Sequence, residues 1–156
     1  MVPVEVEHAQ ALRHRLELDE IDYRRELARL VSSGMSVSEL SHALITAEDA
    51  VSSQLEAAKK IDPVRPGFSG GSPREICLRY KAGQISRDQV IDQLVHWDYV
   101  PRKPVEDPYN DLLFDTPGSF DDVLQALHDG VLDGETYDIV LKTSAAEWKN
   151  GRSSSN

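Results

Sequence analysis

The stretch Glu26–Lys60, ELARLVSSGMSVSELSHALITAEDAVSSQLEAAKK, decides the fold. Leu27, Leu30 and Val31 close one helical run, and Gly34 breaks it. Ser36 or Ser38 then stands where a second helix, carrying Leu40 and Leu44 on one face, needs an N-cap. A third helix holds Val51 and Leu55. Three short amphipathic segments joined by tight breaks read as a helix-turn-helix unit.

On its N-terminal side, residues 7–32 keep a helical spacing of three, four or seven through Leu12, Leu16, Tyr23, Leu27 and Leu30, which predicts one long helix with that stripe buried. Its other faces mix five arginines with acids, the pattern of a solvated, ion-paired surface.

Beyond Lys60, IDPVRPGFSGGSP is too rich in Pro and Gly for regular helix and predicts a connector over residues 62–73. Its GFSGGS run lacks the Lys-Ser/Thr ending of a phosphate-binding P-loop. Ser72-Pro73 then opens a helix in the favoured cap-then-Pro order, and Ser86-Arg87-Asp88-Gln89 has capping-box spacing for the next. A Pro-rich connector follows, in which Leu112, Leu113 and Phe114 are expected to pin the chain to the core. Ser119 is expected to cap a helix from Phe120 to His128, with Gly130 ending it.

An internal repeat links the two halves of this region. RYKAGQISRDQVIDQL (Arg79–Leu94) aligns without gaps with ALHDGVLDGETYDIVL (Ala126–Leu141). Both copies place a Gly in the turn, an Ile or Leu two residues on (Ile85, Leu132), an acid at the fifth place beyond the Gly (Asp88, Glu135), and an apolar or aromatic residue two further on (Val90, Tyr137). That is a tight helical hairpin: Gly supplies the left-handed helix stop, and the acid favours the next helix's positive end. The residues from Thr143 onward, ending GRSSSN, are expected to form a disordered tail. The expected architecture is all-α: residues 1–61 as a long helix plus helix-turn-helix, 62–73 as linker, 74–142 as two helical hairpins, and 143–156 as the tail.

The pattern around the turn, Ala43-Leu44-Ile45-Thr46-Ala47 followed by Ala50-Val51-Ser52 and Leu55, resembles prokaryotic helix-turn-helix regulators, whose usual run is A-L-G-V-S-x-x-A-V-S-x-x-L. Ile45 stands where that family has Gly, Thr46 where it has an apolar residue, and Ala47 where it has the cap. The resemblance implies a recognition helix offering Glu48, Asp49, Ser52, Ser53 and Glu56 to the DNA major groove. Thr46 would sit at the turn, with Lys59 and Lys60 on the phosphates. The overall layout resembles small regulators of actinobacterial and phage type and the antitoxin halves of toxin–antitoxin pairs. The second hairpin is similar to SHOCT-type interaction modules, which implies a partner-binding role for Leu127, Val131, Leu132 and Tyr137.

Charge works against the DNA expectation. The net charge is −10, and neither the helix-turn-helix half nor the C-terminal third is a basic footprint of the kind that non-specific DNA binding needs. Three of the five groove-facing candidates are acids. A self-associating form, expected to be a homodimer, would double the few favourable contacts. The competing expectation is an adaptor or antitoxin whose degenerate helix-turn-helix binds protein, with a basic partner suiting the acidic chain.

Other chemistry finds little support. The single Cys77, between Ile76 and Leu78, reads as a small buried hydrophobe. His8 and His14 are six apart, and His42, His96 and His128 fall in separate segments, so no metal or catalytic site is expected and no cofactor is implied. Without a membrane-length apolar run or a basic-then-apolar leader, the expected location is cytoplasmic, with no membrane contact.

Overall fold

A computed structural model describes residues 3–101 and 118–153 of the chain. Among these residues the protein is all-α, with seven helices and no strand. In order they are α1 (Val4–Ser32), α2 (Val37–Leu44), α3 (Glu48–Ala58), α4 (Pro73–Lys81), α5 (Arg87–His96), α6 (Asp121–His128) and α7 (Gly134–Ser153). The chain divides into two compact units, Arg15–Pro63 and Met1–His14 with Val64–Asn156. Leu112, Leu113 and Phe114 lie outside the described residues.

The first unit is the helix-turn-helix. Leu27 of α1, Leu40 of α2 and Val51 of α3 meet in its core, with Leu30, Met35, Val37 and Leu55 packed around them. Ser36 is the N-cap of α2, and its hydroxyl accepts from the Glu39 amide at 3.1 Å. Polar ties reinforce the packing: Arg24 Nε donates to Gln54 Oε1 at 2.8 Å, fastening α1 to α3, and Arg25 reaches the Asp62 carbonyl at 2.8 Å.

The apolar stripe expected along α1 does not hold over its whole length. Leu12, Leu16 and Tyr23 are exposed, Leu16 at 70%, whereas Leu18 and Leu27 are buried. Leu18 and Leu27 are nine residues apart, two and a half turns, and so project from opposite sides of the helix. The burying face changes along α1, and only its C-terminal part, Leu27 and Leu30, belongs to the helix-turn-helix core.

In the second unit the repeat seen in the sequence is a repeat of structure. Both turns close alike: the Gln84 amide donates to the Arg79 carbonyl and the Val131 amide to the Ala126 carbonyl, each at 2.9 Å. Gly83 at φ 79° and Gly130 at φ 75° occupy the left-handed position that these bonds require. The correspondence extends to the caps. Ser86 forms a full capping box with Gln89, and Asp133, at the matching place in the second copy, accepts from the Thr136 amide at 3.0 Å. Burial pushes the pKa of Asp133 up, but hydrogen bonds from Thr136 and Tyr80 outweigh it and hold the carboxyl below its ordinary value.

The two hairpins pack like on like, α4 with α6 and α5 with α7, over a core that includes Ile76, Leu78, Leu94, Val123, Leu132 and Val140. Residues 64–72 are an ordered loop on this core. The Ser69 amide donates to Gln93 Oε1 at 2.7 Å, Gln93 Nε2 returns a bond to Ser69 Oγ at 2.8 Å, and Phe68 stacks edge-on against Trp97.

Two sequence expectations change at the C-terminal end. The helix expected from Phe120 begins at Asp121, and the Ser119 hydroxyl accepts from the Asp121 amide at 3.2 Å, two residues on. The expected tail from Thr143 is helical through Ser153 as part of α7, because Ser144 is buried and Trp148 packs on Phe120.

Candidate nucleic-acid interface

The interface candidate is the turn between α2 and α3 with the outer face of α3. The turn is three residues long, and Ile45 sits in the left-handed region at φ 53°, ψ 49°. Two reciprocal bonds enforce that conformation. The Thr46 amide donates to the Ser41 carbonyl at 3.0 Å, and the Ser41 hydroxyl donates back to the Thr46 carbonyl. Thr46 Oγ1 also reaches the Leu44 carbonyl at 3.2 Å, which gives the hydroxyl a use where the family pattern has an apolar side chain. A β-branched residue pays a steric penalty in this region, yet the Ile45 side chain is 93% exposed and gains no packing in return.

Ile45→Gly is therefore expected to stabilise the helix-turn-helix by about 1 kcal/mol. Relief of left-handed strain is worth roughly 1–2 kcal/mol, reduced by the greater freedom glycine gives the unfolded chain. Thermal unfolding followed by circular dichroism measures it, and an unchanged or lowered midpoint would show that the strain is absorbed elsewhere.

Helix α3 has Ala47 as its N-cap, with no side-chain cap bond. Glu48 and Asp49 occupy its first turn, where carboxylates offset the uncapped amides and the positive end of the helix dipole. Their acidity thus has a structural use as well as a consequence for DNA. Ser52, Ser53 and Glu56 are exposed on the outer face, and Lys59 and Lys60 follow at the helix end, also exposed. Glu56 and Lys59 pair with each other at 2.8 Å, and the lysine's hydrogen bond holds the Glu56 carboxyl below its ordinary range. Lys59 consequently offers a phosphate less than a lone lysine would. Beside this face, Val31, Val37, Leu55 and Ala58 line an apolar groove of about 390 Å³ with Ser52, Glu56 and Lys59 among its lining residues.

All eight residues expected to face DNA therefore share one surface, from the turn at Thr46 along α3 to Lys60. The residues expected to face a protein partner are divided. Leu127 and Tyr137 are half-buried, with Tyr137 near the Phe120 ring at 6.1 Å, whereas Val131 and Leu132 are buried within the unit's own core. A partner would reach those two only by opening the hairpin. Cys77 is fully buried, and desolvation pushes its thiol up to about 12, so it is no nucleophile at neutral pH.

No family model matches the sequence, and no curated protein or solved structure matches it significantly. Among the described residues no cluster of His, Cys, Asp and Glu could hold a metal ion, and no helix is long and apolar enough to cross a membrane.

Sequence reasoning misses three parts of this interface. The Ser41–Thr46 clamp and the Arg24–Gln54 tie depend on geometry between elements, and Ala47 looks like a missing cap until Glu48 and Asp49 are seen in the first helical turn. Only the last carries a sequence signal, acids directly after a capless start.

Proposed function

We propose that residues 15–63 form the DNA-reading unit of a small transcriptional regulator, with α3 entering the major groove of an operator. The observation that carries this reading is the turn. Where the sequence departs most from the helix-turn-helix pattern, Ile45 for Gly, the backbone still takes the left-handed conformation that the pattern's glycine would supply. The chain tolerates strain to keep α2 and α3 in that relation, and strain retained at an exposed turn is a mark of functional constraint. Helix α3 is 11 residues and about 16 Å long, and a helix's diameter of about 10–12 Å suits the major groove's width of about 12 Å. Ser52 and Ser53 supply base or phosphate contacts, and Lys60 a phosphate contact. Unit charge is unfavourable, with six Lys and Arg against ten Asp and Glu in residues 15–63. Binding therefore requires a homodimer on a two-fold operator, its half-sites about 34 Å apart.

The test is fluorescence anisotropy of the full chain on DNA from its own upstream region, at about 50 mM and 200 mM salt. Glu48→Gln with Asp49→Asn is expected to bind about threefold more tightly, since each removes an exposed repulsion of up to about 1 kcal/mol. Circular dichroism of the variant controls for the loss of helix-dipole stabilisation. Failure of both proteins to bind at low salt would sink the proposal.

A second reading, a protein-binding adaptor or antitoxin built on the same unit, draws support from the exposed Ile45 and the apolar groove beside α3. It predicts that Ile45→Asp abolishes co-purification of a partner encoded next to this chain. DNA reading instead leaves that substitution nearly neutral for partner capture.

A further inference from the structure

Ile45 is a knob without a hole in its own chain. Its backbone is held in the left-handed region at φ 53°, and its branched side chain is left 93% exposed. Within one copy of the chain that combination has a steric cost and no return. A hole lies on the same unit. Val31 of α1, Val37 of α2, and Leu55 and Ala58 of α3 floor the groove of about 390 Å³, room enough for a branched aliphatic side chain. All of its lining residues belong to the unit Arg15–Pro63, every residue of which is described.

Charge says which molecule brings the knob. Helix α3 is acidic at its start, with Glu48 and Asp49, and basic at its end, with Lys59 and Lys60, and all four are exposed. Glu48, Asp49 and Lys60 make no side-chain hydrogen bond or ion pair among the described residues. The Glu56–Lys59 pair is a largely exposed one, weak enough in water for Lys59 to exchange partners. Glu48, Ser52, Glu56 and Lys59 fall at steps of four, four and three, and so share one face.

Two such helices laid antiparallel across a two-fold axis set the acidic start of each beside the basic end of the other, and the helix dipoles agree with that order. A parallel pair would set like charges together. The small side chain of Ser52, near the middle of the face, lets the axes approach to the 8–10 Å of packed helices. Ile45, just before α3, then reaches the C-terminal half of the other copy's α3, where the groove opens. An unrelated apolar segment would fill the groove and leave Ile45 in water; a second copy covers both. One turn and one helix from each copy bury less than the roughly 1,200 Å² of a standard stable interface, so the pair is weak and forms with concentration.

We propose that α3 and the turn before it form a self-recognition surface, with Ile45 of each copy seated in the groove of the other and Glu48 and Asp49 set against Lys59 and Lys60. This pairing covers Ser52 and Glu56. It is therefore distinct from a dimer spanning an operator, and it competes with DNA for the face of α3. It does not rest on the DNA reading, since it concerns the protein alone.

The test is sedimentation equilibrium of the full-length protein from about 0.02 to about 1 mM, at about 50 mM and about 500 mM salt. The mean mass is expected to climb from 17.4 kDa toward twice that value, with a dissociation constant on the order of 0.1 mM that rises about threefold at the higher salt. Ile45→Gly decides the matter, because glycine suits the left-handed turn and keeps the fold while removing the knob. It should weaken pairing by about tenfold or more, with a thermal midpoint no lower than that of the parent chain. Ile45→Leu, which keeps an apolar knob, should lose no more than about threefold. Lys60→Glu should lose about threefold at the lower salt and little at the higher.

A chain that stays monomeric at the highest concentration, or pairs equally well as Ile45→Gly, would overturn the proposal. Undiminished pairing of Lys60→Glu at the lower salt would overturn the antiparallel arrangement. A chain that pairs in this way and never binds DNA sinks only the operator reading, whereas one that binds DNA and stays monomeric when free sinks only this one.

Discussion

Leu40→Ala is expected to unfold the helix-turn-helix at room temperature. Leu40 is almost fully buried between Leu27 and Val51, and removing its side chain leaves a cavity that costs about 2–5 kcal/mol. Residues 15–63 form a unit small enough that a single core supplies roughly 3–5 kcal/mol in all. The loss is therefore comparable to the whole stability of the unit. Amide exchange is the measurement: protection across Val37–Ala58 should collapse in Leu40→Ala, and DNA binding should vanish with it if α3 is the reading helix. Adding Ile45→Gly should restore part of the protection, because relief of the strained turn acts apart from the cavity and the two effects add. Retained protection in Leu40→Ala would mean that the three-helix core is not what holds α2 and α3.

Where the causes of structure are local, the sequence is readable. Ser72-Pro73, the Ser86–Gln89 capping box and the glycine stops of the hairpins are satisfied by bonds within a few residues of each other. The repeat is legible for the same reason, and its caps agree even where the residue changes from Ser86 to Asp133. Spacing alone fails in α1, because Leu12, Leu16 and Tyr23 keep a helical period while the buried face rotates between Leu18 and Leu27. Thr143 onward misleads because the final GRSSSN suggests fraying, whereas Ser144 and Trp148 are held by elements far away in sequence. The exposed face of α3 is legible from the spacing of Val51 and Leu55, which turn towards the core and leave the opposite side to solvent. The contact of the Tyr99, Phe120 and Trp148 rings is not, because they are brought together only by the packing of hairpin on hairpin.

The larger effect in the second unit should come from Arg79→Leu, at a place where the sequence shows only an ordinary glutamate and arginine four apart. The Glu75 side chain is 4% exposed and Arg79 only 14%, and the guanidinium meets the carboxylate at 2.8 Å with a second bond at 3.1 Å from Nε. The other carboxylate oxygen accepts from the Gly71 amide at 3.0 Å, and Gly70 lies so close that a Cβ there would stand 2.8 Å from the Glu75 carboxyl carbon. Gly70 of the GFSGGS run thus lets the loop fold closely over a buried acid. Removing Arg79 takes a charge partner from that buried carboxylate, and breaking one side of a buried pair costs about 3–5 kcal/mol. In urea the fluorescence midpoint should fall by about 2 M. Glu75→Gln in the same chain should recover roughly half of the loss, because Gln still accepts from Gly71 but carries no buried charge. If the double variant is no more stable than Arg79→Leu alone, the arginine contributes through its packing and its bond to Gln84 rather than by neutralising Glu75.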